Sequence, residues 1–241
     1  MSGHSKWHNI QKKKGSADSR RGQLFTKLSK SISICAREGG GDPEFNFALR
    51  VAVDAAKAAN MTKDKIESAI ARGTGGPDAV TLVEVVYEGY GPSGIAFLIR
   101  CLTDNKNRAV SEVRNAMNKN EGSLGSVGSV MWMFDCKGVV TVADASVIKD
   151  RDAFELAVID AGAEDIREHD GLIQVVCAIE DLRKVSEAVE RLGVKPDGAG
   201  IEYVAKDFIE VTAQGVKEKI DKLLDVLDEL DDVDEVYTNQ L

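Results

Sequence analysis

Histidine is scarce in this chain, with three among 241 residues. A general base that titrates near neutral pH therefore has few candidates. There is no G-x-S-x-G elbow, no H-E-x-x-H and no Cys/His pair of the kind nucleophilic enzymes use. The G-x-x-x-x-G-K-[ST] phosphate loop is missing too. No stretch approaches the ~20 apolar residues that a membrane span needs. No apolar segment follows the basic N-terminus, as it would in a secretory signal. The four cysteines, Cys35, Cys101, Cys136 and Cys177, stand apart with no C-x-x-C spacing. They read as reduced core thiols of a cytoplasmic protein. These absences point away from an enzyme, a membrane protein, and a resident metal or cofactor.

Acidic residues are almost missing from the first 30 positions. Asp18 stands alone there against Lys6, Lys12, Lys13, Lys14, Arg20, Arg21, Lys27 and Lys30. That segment is net +7 in a chain of formal net charge −9, so the remainder sums to −16. Screening limits charge effects to about 8–10 Å, so the local field decides the partner, and it suits a polyanion. Lys6, Lys12, Lys13, Lys14, Arg20, Arg21 and Lys27 are the candidate phosphate ligands. About six such contacts would give a salt slope near −5. Trp7 either stacks on a base or anchors the arm. His4 and His8 would share a helix face, but two ligands make no metal centre. His169 falls in an expected hairpin turn beside Asp170-Gly171.

Residues 1–76 read as a helical domain. Leu24, Leu28, Ile32 and Cys35 mark one face of a helix from Arg21 to Ala36. Gly39 to Pro43 breaks it, Phe47 to Ala59 forms the next, and Thr62 caps a third with Met61 and Ile66 as its staple. From residue 80 the pattern changes. Thr81–Glu88 and Ile95–Leu102 read as a hairpin with a long turn, followed by a helix at 107–119. Residues 122–129 read as a flexible glycine connector that hinges two α/β domains. Strands near 138–143, 164–168, 172–178 and 200–206, with helices near 149–161 and 181–192, give a ferredoxin-like βαββαβ unit at 131–207. It interrupts a second α/β domain made of 80–130 and 208–241. That domain ends in an amphipathic helix with a solvated acidic face, and then a strand. The fold class is α+β.

Thr103 to Arg108 lies at a strand-to-helix transition. Thr103, Asp104 or Asn105 can cap the helix, while Lys106 and Arg108 sit beside exposed N–H groups and are secondary anion-binding candidates. Asp104 weighs against anion binding there. Tyr87, Tyr90 and the Gly-Pro turn offer a contact patch for RNA or protein, although a turn that needs glycine explains them equally.

Eight ordered motifs carry a resemblance. They are Gly3 to Trp7, Arg21 to Leu28, Gly39 to Pro43, Asn60-Met61, Ala71 to Gly76, Tyr87 to Pro92, Thr103 to Arg108 and Gly125 to Val130. With these, residues 2–241 resemble the YebC/PmpR family. The resemblance implies a three-helix N-terminal domain and two α/β domains, one inserted in the other. It also implies either a DNA-binding transcriptional regulator or a translation factor on the ribosome that eases synthesis through proline-rich stretches. Thr62, Ala109 and Glu121 depart from the usual pattern, and none removes a basic residue from the arm. The absence of a leader before Gly3 leads us to expect a bacterial member. The expected partners are ribosomal RNA, the ribosome or tRNA, with DNA as the alternative. The expected state is a monomeric, non-enzymatic protein.

Charge reversal at Lys12, Lys13 and Lys14 is expected to abolish nucleic-acid or ribosome association while changing stability by less than ~0.5 kcal/mol, as surface substitutions usually do. Co-sedimentation with ribosomes at the wild-type level would contradict this.

Overall fold

The computed structural model describes residues 17–76, 81–169 and 171–241. Two compact units divide the chain. One runs up to Asp135 and resumes at Ala205, and the other is Cys136–Val204.

The first unit opens with helices α1 (Ala17–Gly39), α2 (Phe47–Ala58) and α3 (Lys63–Gly73). Leu28 and Ile32 of α1 pack with Leu49, Val53, Met61 and Ile66, with Leu24 and Cys35 at the margin. This is the 3.6-residue stripe of the sequence turned inward. Met61 and Ile66 are both buried, as a staple requires. Thr62 occupies the N-cap position of α3, yet its side chain makes no capping bond. The stronger cap is Asn46. Its Oδ1 accepts from the Leu49 N–H at 3.0 Å, and its Nδ2 donates to the Cys35 and Gly40 carbonyls at 2.7 and 2.8 Å. One buried amide thus closes the α1–α2 turn and starts α2.

A four-stranded sheet follows, in the order β3-β1-β2-β8. Its strands are β1 (Val83–Tyr90), β2 (Ala96–Thr103), β3 (Ser123–Leu124) and β8 (Val233–Thr238). β1 pairs with β2 from Val83↔Thr103 to Tyr90↔Ala96, so the hairpin turn is shorter than the Gly89–Gly94 run suggests. Helices α4 (Lys106–Lys119) and α7 (Gln214–Asp228) cover one face through Val113, Met117, Ile220, Leu223 and Leu227 against Phe97, Ile99 and Cys101. On the alternate face, Ile34 of α1 packs with Leu82 and Leu102, and Arg37 donates to the Leu82 carbonyl. The register between β2 and β8 shifts at Arg100/Cys101. Across this bulge Arg100 bonds both Asp234 and Glu235, each at 2.8 Å.

The second unit holds β4 (Phe134–Val142, entering from the first unit), α5 (Arg151–Asp160), β5 (Ala163–His169), β6 (Leu172–Cys177), α6 (Leu182–Arg191) and β7 (Gly198–Ala205). The sheet order β5-β6-β4-β7 is the ferredoxin-like order expected of βαββαβ. All four cysteines are free; Cys101 and Cys177 are buried, but Cys136, on the outer part of β4, is exposed rather than in the core. No helix among the described residues is long and apolar enough to cross a membrane.

Helices α1 and α3 meet at Gly73, where a Cβ would lie 2.2 Å from the Ser33 carbonyl oxygen and 2.9 Å from the Ala36 Cβ. Gly73→Ala is therefore expected to destabilise the protein by about 1–3 kcal/mol through overpacking. Chemical denaturation would show this as a lower midpoint; an unchanged midpoint would contradict the close crossing.

Candidate nucleic-acid interface

The end of α7 and the turn into β8 carry Asp228, Glu229, Asp231 and Asp232, residues whose pattern suggests a solvated acidic face. The structure differs. Asp232 is 2% exposed. Its carboxylate accepts from Lys30 of α1 at 2.7 Å and from Arg108 of α4 through both Nε and Nη2, at 2.8 and 2.9 Å. The second Lys30 bond goes to the Asp231 carbonyl at 3.0 Å. Lys27, 6% exposed, donates to the Asp228 carbonyl at 2.6 Å and to its carboxylate at 3.2 Å. Gln23 donates to the Glu229 carbonyl at 3.1 Å. Cations and an amide from α1 thus satisfy the last carbonyls of α7, which have no partner within the helix. A buried carboxylate is costly unless paired. Burial alone would raise the Asp232 carboxyl; the bonds from Lys30 and Arg108 outweigh it and hold it below the usual carboxylate range.

Two sequence-derived candidates, Lys27 and Arg108, therefore have carboxylates as their partners inside the protein. Arg108 also bonds Asp104 at 2.7 Å. Asn105 is the cap of α4, accepting from the Asn107 and Arg108 N–H groups, so the anion site imagined at this terminus already holds a side-chain oxygen. Lys106 is exposed and makes no ion pair among the described residues; the Tyr87 hydroxyl donates to its carbonyl at 3.1 Å. Lys6, Trp7, Lys12, Lys13 and Lys14 lie outside the described residues, as do His4 and His8. Arg20 belongs to α1.

To Arg21, a candidate from the sequence, the bundle adds Lys65 and Arg72, which sequence reading passed over. Arg21 and Lys65 flank the Phe25 ring at 5.3 and 5.1 Å from its centroid, a cation–π arrangement. Lys65, Ser68 and Arg72 lie at i, i+3 and i+7 on α3, one helix face. That face lines an open cleft of about 1010 Å³ together with Phe25, Thr26, Ser29 and Ser33 of α1. Arg21, Lys65 and Arg72 make no ion pair among the described residues, and the shielded Arg72 Nε has no hydrogen-bond partner. Asp64 of α3 lines the cleft as well, and Asp104, Glu112, Glu229, Asp231 and Asp232 add further acidic lining.

The glycine connector is not a free hinge. The buried Glu88 carboxylate accepts from the backbone N–H groups of Gly128, Val130 and Met131 at 2.6, 2.8 and 2.8 Å. Burial would raise this carboxyl, and the three N–H bonds together bring it below the usual range. The Gly125 N–H donates to the Glu88 carbonyl, and Tyr90 donates to the Ser129 carbonyl. Tyr90 therefore serves the loop's own structure. No group of three His, Cys, Asp or Glu among the described residues is placed to hold a metal ion.

Known proteins resemble this chain along almost its whole length. Residues 5–76 match the model of the TACO1/YebC protein N-terminal domain, and residues 82–240 match that of the TACO1/YebC second and third domain. A probable transcriptional regulatory protein of Fusobacterium nucleatum is 44% identical over 99% of this chain and 95% of its own length. One of Bacillus licheniformis is 46% identical over 99% of each. The crystal structure of a conserved hypothetical protein of Aquifex aeolicus, 38% identical, superposes with a TM-score of 0.85 over 95% of this chain and 93% of that one.

The depressed Asp232 and Glu88 carboxyls each contribute stability above their unfolded pKa, about 4, and lose it as pH falls through the lower folded value. Asp232→Asn is expected to cost about 2–3 kcal/mol at pH 7, a charge-assisted hydrogen-bond magnitude. The Arg108 side chain is 44% exposed, so solvent screening holds the cost at that level. The difference from wild type should shrink as the pH is lowered below about 4. Urea titrations at both pH values decide this; a pH-independent difference would contradict the ionic account.

Proposed function

The chain belongs to the TACO1/YebC family, and we propose from that membership and from its charge distribution that it is a non-enzymatic, nucleic-acid-binding regulator of gene expression. The finer reading is a cytoplasmic, monomeric translation factor that associates with ribosomal RNA, the ribosome or tRNA and eases synthesis through proline-rich stretches. The observation that carries the binding is the net +7 of residues 1–30 within a chain of −9. Arg21, Lys65 and Arg72 support it, because they make no ion pair among the described residues and extend the basic character of the arm onto folded helices. The arm residues Lys6, Lys12, Lys13, Lys14 and Arg20 would neutralise phosphates first, with Trp7 beside them. Lys106 is a peripheral contact. Neither a cofactor nor a metal enters this reading.

A DNA-binding transcriptional regulator is the second reading, favoured by the names of the bacterial relatives, which are probable transcriptional regulatory proteins. Phosphate contacts alone serve either polymer, so a mobility shift at low salt does not discriminate. The sequence shows no readable helix-turn-helix and no dimer heptad, which favours the ribosome over an operator.

In a reconstituted translation system without transcription, added protein is expected to relieve stalling on a message with consecutive proline codons. Unchanged stalling, together with tight binding of a defined promoter at physiological salt and a large specificity ratio, would hand the function to the transcriptional reading.

A further inference from the structure

The loop from Ser123 to Met133 combines rigidity with exposure. Leu124 packs against the core of the first unit at one end, and Val130 is fully buried at the other. The Glu88 carboxylate fixes the backbone N–H groups of Gly128, Val130 and Met131. Gly128 takes φ +84°, and Gly125 leaves no room for a Cβ, which would meet the Ser129 Oγ at 2.4 Å. From this framework two large apolar side chains project into solvent, Val127 at 97% and Trp132 at 64% exposure. The Trp132 Nε1–H is used internally, donating to the Ser129 carbonyl at 3.1 Å. The ring edge is thereby held and its polar group satisfied.

The chemistry of this surface is narrow. Three convergent backbone N–H groups would make an anion nest, but Glu88 fills it, so the loop does not bind phosphate there. Residues 122–134 contain no charged side chain. They lie in the part of the chain that sums to −16, which repels a phosphate backbone. A nucleic acid held by the basic N-terminus can meet this loop only through an uncharged part that stands away from its phosphates. An unpaired base does so and offers a π face to an indole; a base within a duplex does not.

Building on the nucleic-acid-binding reading, we propose that Trp132 is a stacking platform for an unpaired base of a single-stranded or splayed nucleic acid. The Glu88 clamp is its positioning device. Stacking of one base on an aromatic side chain contributes roughly 5- to 150-fold in affinity.

The chain has two tryptophans, so Trp7→Phe leaves Trp132 as the sole indole reporter. The full-length Trp7→Phe protein is titrated with a labelled 12-nucleotide single-stranded RNA and with the matching duplex, following label anisotropy and tryptophan emission together. The single strand is expected to quench Trp132 as it binds, and the duplex to bind without quenching. Trp132→Ala should weaken single-strand binding roughly 5- to 150-fold and duplex binding less than about 2-fold, with Trp132→Phe recovering most of the loss. Anisotropy that reports single-strand binding while Trp132 emission and the Trp132→Ala affinity stay unchanged would overturn the platform and leave the binding function standing. Absence of binding of the wild-type protein to either polymer, read by anisotropy alone, would remove both. An emission change with an apolar peptide but not with the RNA would make the surface a protein contact and overturn the proposal.

Discussion

A carboxylate taken out of water needs cations close by, and Asp232 finds them on two elements distant in sequence. Lys30 comes from the first helix and Arg108 from the start of α4, and both reach the turn that leads into the last strand of the sheet. Lys27 and Gln23 extend the contact over the carbonyls of Asp228 and Glu229. This polar seam, with the small apolar contact of Ile34, Leu82 and Leu102, ties the helical bundle to the sheet. The exposed backbone carbonyls of α7 and the buried charge of Asp232 are answered by the same few side chains.

The seam also sorts the cations. Those it uses have acidic partners; of those it leaves, Arg21 and Lys65 face Phe25, and Lys65 and Arg72 line the cleft. The cations proposed to meet a polyanion are thus set apart from the acidic turn by side-chain pairing rather than by distance. A similar internal settlement occurs at Glu88, which turns a glycine-rich segment into a fixed loop.

Most of the fold was legible because it rests on local periodicity. The stripe through Leu28 and Ile32, the βαββαβ alternation and the Ile220–Leu227 face each announce an element and its buried side. What escaped was long-range polar chemistry. Nothing near Lys27 or Arg108 in sequence says that Asp228 and Asp232, more than a hundred residues on, will claim them. Nothing in the Gly122–Ser129 run says that Glu88 will hold it. Lys65 and Arg72 were hidden for a related reason: they lie in an ordinary charged helix, and only the packing of α3 beside α1 brings them to Phe25 and the cleft. Their i, i+7 spacing across Ser68 was the one available sign. The motif resemblance was legible throughout, because it depends on residue order alone.

The central claim is that the folded part of the interface consists of the cations the acidic seam leaves unpaired. The salt dependence of single-stranded RNA binding tests this most directly, since each phosphate contact contributes a fixed increment to the slope of log Kobs against log[salt]. The account predicts that Lys65→Gln with Arg72→Gln lowers the magnitude of that slope by about 1.4 and leaves the fold intact. A slope equal to the wild type in the double variant would contradict it.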